Sequence, residues 1–289
     1  MDNEQSRGGE PKSLASRAKA FVLFLLYTVV LAALQIGIQK YALPPMLGYK
    51  PVQLGHGTIF IELGYFVAVL ISMALFWWFS KDPVGDFALR SKRPMRDVAV
   101  GFGAGFAAVA ALNLVSIPMD HSWLRWSGAG ITSMFPTLLY MLALYLLVAL
   151  VEEAMFRGYT LTQLSRAIGF WPASVVMIAL FALWHVSRPD AAINDFVMFV
   201  LFAAVCILSV RRSGALWFAI GMHWAWDTTD CWFFGIPDGT SRIPGTLFLS
   251  PFTSTEFSLG DLAATVVVLA LLLWLVSRLY PQTDARWNS

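Results

Sequence analysis

Charge is what this sequence has least of. Asp, Glu, Lys and Arg make up only 13% of its 289 residues, whereas soluble domains carry about a quarter. With 58% hydrophobic residues arranged in long apolar runs, the chain reads as a polytopic membrane protein. Its basic and acidic residues nearly balance, at a net charge of +2. That excludes a basic nucleic-acid surface, and no nucleic-acid partner is expected. Cysteine is almost missing as well: Cys206 and Cys231 form neither a C-x-x-C motif nor a disulfide framework. The alternating pattern of an outer-membrane barrel is absent, and backbone polar groups in lipid must then be satisfied within helices. Gly101-Phe102-Gly103-Ala104-Gly105 has no strand before it, which argues against a nucleotide loop and for small residues that let helices pack closely.

What is present is a series of eight apolar runs, at residues 20–38, 57–79, 97–118, 135–156, 171–187, 194–210, 214–234 and 261–280. Each suffices to cross a hydrocarbon layer of about 30 Å. The expected fold is therefore all-α, a transmembrane bundle of about eight helices. Residues 1–19 form a disordered tail, 20–280 one transmembrane domain, and 281–289 a C-terminal tail. The first run is too long for a cleaved signal and reads as a retained span. With the N-terminus inside, fifteen of the twenty Lys and Arg fall in inside segments. Those segments precede run one and include the 80–96 loop, Arg157, Arg166, Arg211, Arg212, Arg278 and Arg286. The positive-inside rule then places both termini in the cytoplasm. Short loops and compact size point to a prokaryotic plasma membrane.

Six ionisable side chains fall where the chain should bury only hydrocarbon. Glu152, Glu153 and Arg157 close run four, His185 lies in run five, and His223 and Asp227 lie in run seven. Left unpaired in a membrane, they would cost on the order of 10 kcal/mol or more. Glu153 and Arg157 are four apart and share a helix face, so they form a ready ion pair, while Glu152 points about 100° away. If the helix continues to a turn near Ala167–Gly169, Glu152 and Glu153 lie ~22 Å below that turn and His185 ~26 Å beyond it. His223 and Asp227, counted from the turn at Arg211–Ser213, lie at ~17 and ~22 Å. Three spans thus bring their polar residues to one layer. Taken singly, each group has a plainer reading: a surface salt bridge at a helix end, an interfacial histidine, and an i, i+4 pair in which Asp227 orients His223. Trp184, Trp224 and Trp226 are either belt residues or walls of the polar site.

The ordered trio E-E-x-x-x-R (Glu152, Glu153, Arg157), F-x-x-x-H (Phe181, His185) and H-x-x-x-D (His223, Asp227) resembles the CPBP family. That family groups CAAX-type prenyl proteases with bacteriocin-processing and immunity-associated membrane proteins, and is also called Abi-like. The likeness covers residues 135–235. It implies an intramembrane endopeptidase acting on a membrane-associated or prenylated-type protein or peptide, with the six residues as its catalytic set. The prenyl-protease branch typically ends the third motif in Asn, so Asp227 departs from it and puts a prenylated substrate in particular in question.

Two mechanisms fit these residues. In one, Glu152 is the general base, His185 holds the attacking water, and His223 with Asp227 stabilises the developing oxyanion. In the other, Glu152, His185, His223 and Asp227 ligate a divalent metal such as zinc, and Glu153 supports Arg157 from behind. The rivals from other classes are a non-catalytic scaffold or immunity-type family member and an ion-coupled transporter. The transporter predicts an inverted repeat, which the sequence does not show.

Overall fold

The computed structural model describes residues 13–44, 58–81, 84–119, 124–186, 193–235, 244–249 and 259–281. Nine α-helices account for most of these residues. They are α1 (Leu14–Gly37), α2 (Thr58–Ser80), α3 (Pro94–Met119), α4 (Ile131–Arg157), α5 (Tyr159–Ile168), α6 (Phe170–His185), α7 (Ile193–Ser213), α8 (Trp217–Thr228) and α9 (Leu259–Leu279). The burial pattern is that of a protein in lipid. Large apolar side chains such as Trp78 (67% exposed), Val175 (67%) and Leu271 (59%) face outward, while Glu153 and Arg157 are fully buried. The all-α membrane bundle expected from composition is present.

Six helical segments are long and apolar enough to cross a membrane. The other two predicted spans are shorter. α6 has 16 residues, or ~24 Å of rise, and α8 has 12 before it widens into a π-helical turn, Thr229–Phe233. Two further expectations need correcting. Residues 14–19, assigned above to a disordered tail, form the first turns of α1, begun by Ser13, whose hydroxyl accepts from Ser16 N. The rest of that predicted segment, 1–12, lies outside the described residues, as do 282–289 of the predicted C-terminal tail. The helix of run four also does not continue unbroken to Ala167–Gly169. It stops at Gly158, whose ψ of −123° is not helical, and α5 begins beyond it. A Cβ at Gly158 would press on the carbonyl of Ala154, so the break needs this glycine. Uninterrupted, the 38-residue apolar stretch Ile131–Ile168 would rise ~57 Å, nearly twice the hydrocarbon thickness.

Contacts sort the connections to two ends of the bundle. At one end, Arg166 donates from Nη2 to Asp86 at 2.8 Å and Arg17 Nε to the carbonyl of Ala167 at 2.8 Å. There too, Leu216 N donates to Ala88 O at 2.8 Å, and Tyr280 donates its phenol proton to Asp97 at 2.8 Å. All of these lie in segments predicted to be inside (Arg17, Asp86, Ala88, Arg166, Ala167) or at the inside ends of predicted spans (Asp97, Leu216, Tyr280). At the other end, Arg125–Trp126 pairs antiparallel with Phe248–Leu249, joining two loops both predicted to lie outside. Pattern reading had not found that short ribbon.

The site rests on the contact between α3 and α8, the most extensive helix pairing in the fold. A Cβ on Gly101 would overlap the carbonyl oxygen of Phe218, one on Gly105 that of Met222, and one on Gly221 that of Val98. Hydrogen in place of methyl on both sides lets the backbones touch, as the Gly101–Gly105 stretch predicted. Gly221→Ala should therefore push α8 off α3 and lower stability by about 1–3 kcal/mol, the usual range for overpacking. Thermal unfolding in detergent measures it; an unchanged midpoint would mean the contact is slack.

Candidate active site

The six ionisable residues meet. α4 supplies Glu152, Glu153 and Arg157 from its last turns, α6 ends on His185, and α8 supplies His223 and Asp227. Arg157 Nη1 donates to Glu153 Oε1 at 3.1 Å, with both side chains fully buried. The i, i+4 pair expected from helix geometry is thus present, but it is not self-contained. The same Glu153 oxygen accepts from His223 Nδ1 at 2.9 Å. Glu153 therefore fixes the histidine of another helix as well as the arginine of its own, which the sequence reading had not assigned to it.

Hydrogen-bond roles follow from the partners. A carboxylate and a peptide carbonyl can only accept, so His223 Nδ1 carries a proton toward Glu153 and His185 Nδ1 carries one toward Phe181 O, 2.8 Å away. Both rings consequently turn Nε2 inward. Glu152 Oε2 lies 3.4 Å from His185 Nε2 and 3.9 Å from His223 Nε2, and His223 Nε2 lies 3.4 Å from Asp227 Oδ2. These are ion-pair separations rather than aligned hydrogen bonds, and Glu152 Oε2 makes no hydrogen bond among the described residues.

Exposure divides the group in two. Side chains of Glu152, His185 and Asp227 are 17%, 19% and 23% exposed, whereas Glu153 and Arg157 are at 0% and His223 at 5%. The first three can meet a substrate and the others hold them in place. Aromatic rings supply the remaining walls. The Arg157 guanidinium lies 4.0 Å from the centre of the Phe181 ring, His185 is between Phe181 and Phe199 at 4.2 and 4.4 Å, and Phe202 meets the His223 ring edge-on at 5.1 Å. Phe181 was visible in its motif; Phe199 and Phe202 had no distinguishing signal in a phenylalanine-rich helix. Of the three tryptophans, Trp226 is buried against Phe202 at 5.2 Å and Trp224 donates to Leu142 O at 2.9 Å, while Trp184 is 65% exposed.

Zinc with N and O ligands at ~2.0–2.1 Å needs its donors at tetrahedral spacing around one point. Two of the pair separations here are of that order, but no group of three or more His, Cys, Asp and Glu among the described residues is disposed to hold a metal ion.

One protein-family model, described as Rce1-like, type II CAAX prenyl endopeptidase Rce1-like, matches residues 134–229. Over these residues the chain carries an Rce1-like domain, which supports a CPBP-type intramembrane protease. The Rce1-like domain starts in the first turn of α4, ends one residue past α8, and contains all six residues of the cluster. Its class is the CAAX-type intramembrane endopeptidase, in keeping with the resemblance carried by the three motifs. No curated protein matches the chain.

Proposed function

We propose that this protein hydrolyses a peptide bond of a membrane-associated protein or peptide of the CAAX type, with Glu152 as general base. The observation that carries the reading is the convergence of two histidine Nε2 atoms on one oxygen of a partly exposed glutamate. Two acceptors facing one point, Glu152 Oε2 and His185 Nε2, suit a two-proton donor such as water. Glu152 takes a proton from that water while His185 Nε2 holds it, and the oxygen attacks the carbonyl carbon. In its doubly protonated form His223 offers Nε2–H to the carbonyl oxygen as it gains charge, with Glu153 and Asp227 balancing the ring. Asp227 cannot itself donate as a carboxylate, so it acts through His223. Collapse of the tetrahedral species breaks the C–N bond, and Glu152 returns its proton to the leaving amine. No step goes through a metal.

His185→Ala should lower turnover by about 10²-fold, the lower end for a group that positions a proton transfer. Wild-type rates in that variant would remove His185 from the mechanism. Chelator treatment of the purified protein separates the metal account. Full activity after chelation matches the reading above, whereas loss restored by added zinc would return Glu152, His185, His223 and Asp227 to a ligand role. The substrate is best sought by comparing protein C-termini and membrane peptides in cells carrying wild-type protein or Glu152→Gln. Fragments seen only with wild type support the protease, and identical profiles count against it.

A further inference from the structure

One carboxylate inside the bundle has no part in this mechanism. Asp230 lies in the π-helical turn that follows α8, half-buried, and accepts from Asn113 Nδ2 of α3 at 3.2 Å. Ionisable groups at membrane depth are costly and mark functional positions by default, and π-helical turns recur at such positions. Asp230 comes three residues after Asp227 and seven after His223, on their side of the helix and no more than ~4.5 Å of rise beyond Asp227.

Asn113 is 5% exposed, and its amide orientation is fixed. Nδ2 donates to Val109 O at 3.0 Å and to Asp230 Oδ1 at 3.2 Å; a flip would set oxygen against both acceptors. Its Oδ1 is thereby left buried, with no partner among the described residues. A lone buried acceptor beside a carboxylate calls for a hydrogen-bond donor.

We propose that Asn113 and Asp230 form a substrate subsite that accepts backbone N–H groups of an extended peptide next to the scissile bond. An extended chain in the bilayer exposes amide groups that lipid cannot satisfy, and the catalytic cluster serves only the bond being cut. An extended peptide advances ~3.3 Å per residue, so a station no more than ~4.5 Å of helix rise beyond Asp227 meets an amide one or two residues from that bond. The subsite rests on the proteolytic reading above. Its rival is a purely structural rung, because Asn113 and Asp230 share the register of the Gly101–Phe218 and Gly105–Met222 contacts.

The test uses the full-length protein in detergent and a fluorescent CAAX-type reporter peptide, either unmodified or N-methylated in turn at each amide within two residues of the cleaved bond. Asn113→Ala should raise KM roughly fivefold to tenfold with kcat within about twofold, the effect of losing one hydrogen bond in uniform binding. Methylating one amide should raise the wild-type KM by a similar factor and add nothing further in Asn113→Ala. Asp230→Asn, which keeps an acceptor, should stay within about threefold of wild type, and Asp230→Ala should follow Asn113→Ala. A structural rung gives instead a lowered unfolding midpoint, a fall in kcat, and methylation effects that multiply with the mutation; that pattern overturns the subsite. Should wild-type protein cleave no reporter, the proteolytic reading fails on its own. Peptide anisotropy then decides the subsite separately: equal affinities for methylated and unmethylated peptides, or no binding, overturn it.

Discussion

Glu152→Gln should abolish peptide hydrolysis, by about 10³-fold or more, while leaving the protein folded. Glutamine has nearly the same shape, so the helix end and its neighbours stay in place. It cannot accept the proton of an attacking water or return one to the leaving amine. Structurally little is lost, because Glu152 Oε2 makes no hydrogen bond among the described residues and the buried links of the site run through Glu153. Reporter cleavage and thermal unfolding, measured on the same preparation, check both halves. Residual activity within tenfold of wild type would move the base elsewhere, and Asp227, the most exposed carboxylate of the cluster, would be examined next.

The neighbouring glutamate should behave in the opposite way. Glu153→Ala removes the side-chain acceptor that Arg157 has among the described residues, and the guanidinium, at 0% exposure, is left against the Phe181 ring. Breaking a buried pair by deleting one partner costs about 3–5 kcal/mol, so the variant should unfold well below wild type or fail to accumulate. Removing both charges is different. Glu153→Ala combined with Arg157→Leu should recover most of the lost stability, since an apolar replacement of a buried pair is often neutral. Activity should not return, because His223 Nδ1 has still lost the oxygen that orients it. A double variant that is stable and active would show that Glu153 serves only Arg157.

Helix periodicity separated these two glutamates onto different faces and paired Glu153 with Arg157, and the structure agrees. Spacing along one chain says nothing about which neighbouring helix presses on a face, so the bond from His223 to Glu153 could not be read. Depth along the helices brought three spans to one layer even though the helix of run four is not continuous. The helix was expected to run on to Ala167–Gly169, whereas it breaks at Gly158, whose ψ of −123° is not helical. The close packing of the Gly101–Gly105 stretch was legible because small residues at helical spacing have one main use in lipid. Asn113 and Asp230 escaped notice for a related reason. Asn113 shares its run with Asp97 and Ser116, and Asp230 follows the more prominent His223 and Asp227, so only their meeting across two helices gives either one meaning.

The constant offset between α3 and α8, 117 residues at the Asn113–Asp230 rung, also sets a timetable for biosynthesis. At ~5–20 residues per second, α3 leaves the ribosome roughly 6–23 s before the segment that covers its glycine face. Four intervening helices are made in that interval, and neither His223 nor Asp227 yet exists. The nascent protein is thus without its completed hydrolytic centre until α8 inserts into a membrane that already holds α1 to α7. Any chain that ends early is left with an open helix face for quality control to find.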